Sequence, residues 1–266
     1  MCGICEIQNK KEDFNVFSEE EAENYVIGVY SGLYSVRSLD LSTYLKTARK
    51  LSQGVFSGYG KTLFDVQYGT QDWDMLRALQ EDVYVFSGAK QYQMVREMSS
   101  WLTNDQGITP FGEFRAKAKE TFFQYNDDWL RAEYNSAIGQ ARTAARWQEY
   151  VKEANVLPML TYQTAGDMNV RPTHQILDKI SRPVNDKFWD KFMPPNGWNC
   201  RCIVVQGGPE VQKTSLKGFV PPDDVPEIFQ FNAGKEKIIF SPKHPYYDVA
   251  KRDKEWAKQN FGMPLP

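Results

Sequence analysis

The sequence predicts an α+β fold, in which a mainly helical N-terminal region is followed by a small, loop-rich α+β module. Apolar residues recur at helical spacing through most of residues 18–154. Beyond Pro158 the pattern changes to an alternating segment, Leu160–Thr164, and a short apolar run, Ile203–Val205, both of which favour strands. The segment between those runs is rich in Pro, Asn and Trp, which indicates loops held by packing rather than regular structure.

The helical region begins at Ser18, where a capping box with Glu21 marks the start of a first helix. Further helical patterns cover Leu41–Phe56, Asp72–Phe86, Lys90–Leu102, a helix opened by Thr109-Pro110, and Asp127–Ala154. The last of these carries a continuous apolar stripe that is rich in alanine. Because alanine is small, we expect a neighbouring helix to approach that stripe closely.

These changes of character divide the chain into three ranges. Residues 1–109 form the helical N-terminal region, residues 110–206 the α+β module, and residues 207–266 a C-terminal extension. The Gly and Pro residues near the start of the extension predict a linker. No internal repeat and no low-complexity tract is present in the sequence.

The composition is that of a globular protein, with 41% hydrophobic and 25% charged residues among 266. The formal net charge of −2 argues against a protein that grips nucleic acid over its whole surface, although a local basic face for DNA stays open. The sequence has no apolar stretch of the roughly 18 residues that a membrane helix needs. It also lacks a signal peptide, so we expect cytoplasmic synthesis and cysteines that start as thiols.

The run Gly58–Thr62 superficially resembles a phosphate-binding loop. That motif needs a glycine where this chain has Val55, and no strand precedes the run. We therefore interpret it as a turn between two helices.

One group of residues has the chemistry of a metal site. His174, Cys200 and Cys202 offer an imidazole and two thiols, and zinc is the cofactor that such ligands favour. In a strand the two cysteines would point to the same face. Candidates for a fourth ligand are Asp167, Asp186 and Asp190. Alternatively, Cys2 and Cys5, which have C-x-x-C spacing, would complete a four-sulfur site with Cys200 and Cys202.

Several other interpretations of the same residues stay open. In the one we favour over zinc, His174 bonds a loop carbonyl and the cysteines are small buried hydrophobic residues. A disulfide is a third interpretation, which a reducing cytoplasm disfavours. The rival function is a metal-dependent hydrolase that uses His174, Cys200, Cys202 and a nearby carboxylate. A nucleophile and base pair of Cys200 and His174 has no local support in the sequence.

Aromatic residues and a proline pair predict a compact core beneath these loops. Phe188, Trp189, Phe192 and Trp198 supply the large side chains. The run Pro194–Gly197 predicts a rigid turn in which Gly197 takes a positive φ.

Taken together, these segments resemble the phage Mu F-like, head-morphogenesis family of minor capsid proteins. Three elements occur in the family's order: Arg171–His174, Asp186–Trp189 and Pro194–Cys202. The helix around Trp129–Ala137 is similar to the one that precedes the motif in that family, so the resemblance covers about residues 110–206. Besides His174 and the cysteines, the residues of the motif are Arg171, Asp186, Trp189, Pro194, Pro195, Trp198 and Arg201.

The chain departs from the family at one position. A glycine commonly follows the His element, whereas this chain has Leu177–Lys179, so we expect its turn to be made differently.

The resemblance implies a phage or prophage minor head protein that acts in head assembly. Its implied partners are portal, capsid or scaffolding proteins, and its implied location is the procapsid or virion, after assembly in the bacterial cytoplasm. It implies no catalytic activity, so the motif is expected to be structural and the chain is not expected to be an enzyme. Related modules are sometimes fused to toxins, but the short tail leaves little room for one.

Overall fold

The structure is a computed structural model, and it describes residues 14–222 and 225–261. Cys2 and Cys5 lie outside those residues, as does the Asp223-Asp224 pair. Within the described part of the chain, none of the helices has both the length and the apolar character needed to cross a bilayer.

The N-terminal region is helical, as the sequence predicts. Its long helices are α1 (Glu19–Tyr30), α2 (Leu41–Tyr59), α3 (Gln71–Ser99), α4 (Phe111–Phe123) and α5 (Leu130–Glu153). Ser18 caps α1 through the predicted capping box, since its hydroxyl accepts from the Glu21 N–H at 3.2 Å and Glu21 accepts from the Ser18 N–H at 3.0 Å. A small hairpin of β1 (Thr103–Asn104) and β2 (Gly107–Ile108) separates α3 from α4.

Two predicted interruptions in this region are wrong. Asp72–Phe86 and most of Lys90–Leu102 belong to the single helix α3, which ends at Ser99. The intervening Ser87, Gly88 and Ala89 are all buried and continue its core-facing surface. The predicted helix boundary at Asp127 is likewise absent. A single π-helical turn, Gln124–Trp129, joins α4 to α5 without a break.

Helices α2 and α5 pack closely, as the small residues of the α5 stripe predict. Ala137, Ala141 and Ala144 are fully buried on that face. The closest approach depends on α2 as well, because a Cβ added to Gly58 would lie 2.1 Å from the carbonyl oxygen of Ile138. The helices can meet at this distance only because position 58 has no side chain.

Gly58 and its neighbours end a helix, as predicted, and do not form a phosphate loop. Gly60 follows the last residue of α2 with a φ of 82°, and its N–H donates to the carbonyl of Phe56. This is a left-handed helix C-cap that glycine favours.

The module has a three-stranded antiparallel sheet in the order β4–β3–β5. Its strands are β3 (Met159–Gln163), β4 (Ser181–Pro183) and β5 (Ile203–Gly207). The sequence predicts β3 and β5, and both are present. It does not predict β4, whose three residues are too few to show a pattern. The short helices α6 (Pro172–Gln175) and α7 (Phe188–Lys191) lie in the loops between β3 and β5.

Two hydrophobic clusters share helix α5. The helical core unites α1 to α5, and its members include Val26, Leu51, Leu79, Phe122 and Ala141. The module core is formed by the sheet and its loops together with one end of α5, and its members include Trp147, Tyr150, Leu160, Tyr162 and Trp189. Helix α5 therefore contributes to both cores and connects the module to the helical region.

The C-terminal extension packs on both clusters. Phe229 belongs to the module core, whereas Phe240 and Tyr246 belong to the helical core. The extension also contains the short helices α8 (Ala233–Glu236) and α9 (Lys254–Phe261). The division at residues 109 and 206 stays a prediction.

The turn after the His element takes the conformation that glycine favours, although this chain has no glycine there. Lys179 has a φ of 62°, and its N–H donates to the carbonyl of Tyr162 at 2.8 Å. The chain therefore makes a left-handed turn with a lysine, at some conformational cost.

Candidate functional site

His174, Cys200 and Cys202 form one compact cluster. The Nδ1 atom of His174 lies 3.6 Å from the sulfur of Cys200 and 3.6 Å from the sulfur of Cys202. One ligand atom from each of the three residues lies within 4.8 Å of the other two. His174 and Cys202 are buried, and Cys200 is partly exposed.

Two loops bring these side chains together. Pro172 begins α6, where proline is tolerated, and this short turn places His174 toward the module core. On the opposite side, Asn199 has a φ of 56°, and the Cys200 N–H donates to the carbonyl of Gly197 at 3.1 Å. The predicted strand geometry for the cysteines is wrong, because β5 begins at Ile203 and the turn at Asn199 aligns the two sulfurs instead.

The predicted positive φ at Gly197 is also wrong, because Asn199 has the left-handed conformation in this turn. Gly197 serves a different purpose. A Cβ there would lie 3.3 Å from Nη1 of Arg171, so the missing side chain leaves room for that guanidinium. Arg171 in turn donates to the carbonyl of Trp198 at 2.7 Å and ties the two loops together.

The two thiols differ in acidity. The interaction with Cys202, helped by His174, lowers the pKa of Cys200 despite its burial. The same pairing, together with burial, raises the pKa of Cys202.

The cluster differs from two of the sequence interpretations. Nδ1 of His174 faces the two sulfurs and not a loop carbonyl. Cys200 and Cys202 are both free thiols, so the structure contains no bond between them. An imidazole and two sulfurs around one space form a ligand set for a soft or borderline metal ion.

The carboxylates proposed as a fourth ligand are paired elsewhere. Asp167 receives both guanidinium nitrogens of Arg201, at 2.5 and 2.7 Å, and this pairing lowers the pKa of the carboxyl. Asp186 pairs with Arg182 at 2.6 Å, and Asp190 pairs with Lys235 at 2.5 Å. Among the described residues, the group that can hold a metal contains only the histidine and the two cysteines.

The proline pair joins the cluster to helix α5. The carbonyl of Pro194 accepts from the hydroxyl of Thr143 at 2.6 Å, and the carbonyl of Pro195 accepts from the side chain of Gln140 at 3.2 Å. A Cβ on Gly139 would lie 2.6 Å from Cγ of Pro195. The Pro-Pro turn thus rests directly on the α5 backbone, and its peptide bond is cis.

The two tryptophans of the motif pack in the interior of the protein. Trp189 is completely buried, and its Nε1 donates to the carbonyl of Pro183 at 3.0 Å. Trp198 is partly buried between the two cores, with its ring against those of Phe229 and His244. The aromatic core predicted beneath the loops is present, since Phe188 and Phe192 also pack in the module core.

Sequence reasoning missed several residues that support the cluster. Tyr162 and Asn196 are buried beside it, and the Tyr162 hydroxyl donates to the Asn196 side chain at 3.1 Å. Gly139, Gln140 and Thr143 form the α5 surface under the prolines. Only the small size of Gly139 within an alanine-rich helix pointed toward a close contact.

A narrow cleft reaches the cluster from the surface. It has a volume of about 70 Å³, and its lining includes both sulfur-bearing residues, the Pro-Pro turn and the basic side chains Arg142, Arg146 and Arg201. The cluster is therefore accessible to solvent on the side of α5.

The model of the family described as "Phage Mu protein F like protein" matches residues 69–205, which are just over half of the chain. The "Putative capsid assembly protein F" of Escherichia phage Mu is 37% identical over 71 residues, which cover 27% of this chain and 16% of that protein. The Mu-like prophage FluMu F protein of Haemophilus influenzae is 31% identical over 61 residues, which cover 23% of this chain and 15% of that protein. The matched segments therefore span about a sixth of the length of these relatives. No solved structure matches the chain.

Proposed function

Because this chain belongs to the phage Mu protein F-like family, we propose that it is a minor head protein of a phage or prophage. In this proposal it acts in head assembly, through contacts with the portal protein or with capsid or scaffolding proteins. It works in the host cytoplasm during assembly and is incorporated in the procapsid or virion.

The observation that carries the proposal is the extent of the family match. Residues 69–205 run from the start of α3 to β5, so they include the central helices as well as the whole motif. The relative in phage Mu is named for capsid assembly, and the relative in Haemophilus influenzae for a Mu-like prophage. These names support an assembly role for the shared segment.

The construction of the motif supports a structural role. Its prolines rest on α5, its Arg171 bridges two loops, and its Trp189 fills the module core. Four nearby carboxylates could serve the hydrolase hypothesis, and all four have other partners. Asp167, Asp186 and Asp190 form ion pairs. Asp178 accepts from the backbone and the hydroxyl of Thr164 at 2.8 and 2.9 Å. The motif therefore has the contacts of a scaffold that holds loops in place.

The net charge supports protein partners. At −2, the chain has no overall attraction for the phosphates of DNA. Assembly through protein contacts does not need such an attraction, because interfaces depend on buried shape and apolar surface.

Co-expression tests this proposal. We expect the tagged chain to co-purify with the portal protein encoded near its own gene, or with the capsid or scaffolding protein encoded there. The Trp189→Ala variant provides a control, because its module core is disrupted and its partner should be lost. Failure of the folded chain to retain any of the three proteins would contradict the proposal.

A further inference from the structure

We propose that His174, Cys200 and Cys202 bind one zinc ion, which fastens the two loops of the module to each other. This inference is independent of the assembly role, because it concerns only how the module is held together. It replaces the interpretation of the cysteines as small hydrophobic residues.

The distances in the cluster are those of a tetrahedral zinc site. Zinc lies about 2.0–2.1 Å from an imidazole nitrogen and about 2.3 Å from a thiolate sulfur, so tetrahedral angles separate the nitrogen and each sulfur by about 3.6 Å. Both distances from His174 Nδ1 to the cysteine sulfurs are 3.6 Å. The nitrogen and the two sulfurs therefore surround one space in which an ion can be held.

Hydrogen bonds of the loops fix the orientation of the cluster's side chains. The Cys200 N–H donates to the carbonyl of Gly197 at 3.1 Å, and the His174 N–H donates to the carbonyl of Arg171 at 2.9 Å. The Arg171 side chain donates to the carbonyl of Trp198 at 2.7 Å and joins the two loops. Supporting contacts of this kind orient metal ligands.

The ligand types select the metal. Two thiolates and an imidazole favour zinc, whereas magnesium, calcium and manganese favour oxygen ligands. When zinc binds, each thiol that is still protonated releases its proton to solvent, and no electron is transferred.

The fourth ligand comes from solvent. Among residues 14–222 and 225–261, no other side chain belongs to this group of ligands. The cleft lined by both cysteines has a volume of about 70 Å³, which exceeds the roughly 10–15 Å³ that one water needs. A water in the cleft can complete the tetrahedron.

Metal analysis of the purified full-length chain tests the site. The chain is stripped with a chelator, incubated with zinc under reducing conditions, desalted and measured by mass spectrometry of the metal. We expect about one equivalent of zinc, and less than about a tenth of an equivalent in His174→Ala, Cys200→Ser and Cys202→Ser. The double variant Cys2→Ser, Cys5→Ser is the matched control and should still bind one equivalent.

Spectroscopy of the unaltered chain covers the case in which those variants do not fold. With cobalt in place of zinc, sulfur-to-metal charge transfer should show two thiolates, and X-ray absorption of the zinc form should show two sulfur and two nitrogen or oxygen neighbours. Absence of stoichiometric zinc in the folded, reduced chain would overturn the proposal. A shell of three or four sulfurs, or loss of zinc in the Cys2/Cys5 control, would overturn the three-residue site.

Discussion

Replacing Glu133 by leucine should lower the free energy of unfolding by about 3–5 kcal/mol, because it leaves the charge of Lys90 buried without a partner. Lys90 on α3 and Glu133 on α5 are both 2% exposed, and the Lys90 Nζ lies 2.6 and 2.8 Å from the two carboxylate oxygens. Tyr246, in the C-terminal extension, donates its hydroxyl to the same carboxylate at 3.0 Å. The substitution therefore also removes a contact that holds the extension.

A double-mutant cycle separates the ion pair from the packing around it. Lys90→Met should also be strongly destabilising, since it leaves Glu133 unpaired, and burial already raises the pKa of that carboxyl. The variant with both substitutions should be more stable than the sum of the two single losses predicts, by about 2–3 kcal/mol, as for coupled neighbours. Urea unfolding measures all four proteins, and simple additivity would show that the pair does not act as a unit.

Replacing Gly58 by alanine should lower the free energy of unfolding by about 1–3 kcal/mol, the range for overpacked sites. In an exposed helix the same change would raise stability, because alanine is the better helix former by about 1 kcal/mol. Here the new Cβ would meet the backbone carbonyl of Ile138 at 2.1 Å, and a backbone atom cannot rotate away as a side chain can. Helices α2 and α5 would have to separate.

Gly112→Ala is the matched control for this substitution. Gly112 is the second residue of α4, as Gly58 is the second residue from the end of α2, but no atom of the described residues lies within 4 Å of a Cβ at position 112. The Gly112→Ala substitution should leave the free energy of unfolding unchanged or raise it by up to about 1 kcal/mol. Equal effects of the two substitutions in thermal unfolding would rule out the close contact between α2 and α5.

Local signals made much of the fold predictable. The capping box at Ser18, the alternating residues of β3 and the apolar β5 each act over a few neighbouring residues, so the sequence shows them directly. The alanine stripe of α5 predicted that another helix packs closely against α5, but it did not identify that helix. Its neighbour is α2, where Gly54 and Gly58 face α5, and the pattern on α2 alone does not show this.

Long-range contacts were not predictable. The uninterrupted course of α3 past Gly88 depends on burial from several sides, and the π-helical turn before α5 has no signature in a single sequence. The surface beneath the prolines depends on Gly139 and Thr143, which precede Pro194 by about 50 residues. Such contacts are set by the tertiary fold, which overrides local preference.

The candidate site was predictable in its residues and not in its geometry. The sequence indicated His174, Cys200 and Cys202 as a group. The strand predicted for the two cysteines is a turn in the structure. The left-handed conformations at Lys179 and Asn199 were missed because neither residue is glycine. Asparagine tolerates this conformation well, whereas lysine adopts it only where surrounding contacts hold it.

The protein content of procapsids is the most direct test of the assembly role. Particles would be purified from cells that express the head genes encoded around this chain's gene, and their proteins would be quantified by mass spectrometry. If the chain acts in head assembly, it should be present in the particles in fewer copies than the major capsid protein, and deleting its gene should lower the yield of normal particles. Particles that lack the chain, and form in normal number and shape after the deletion, would contradict it.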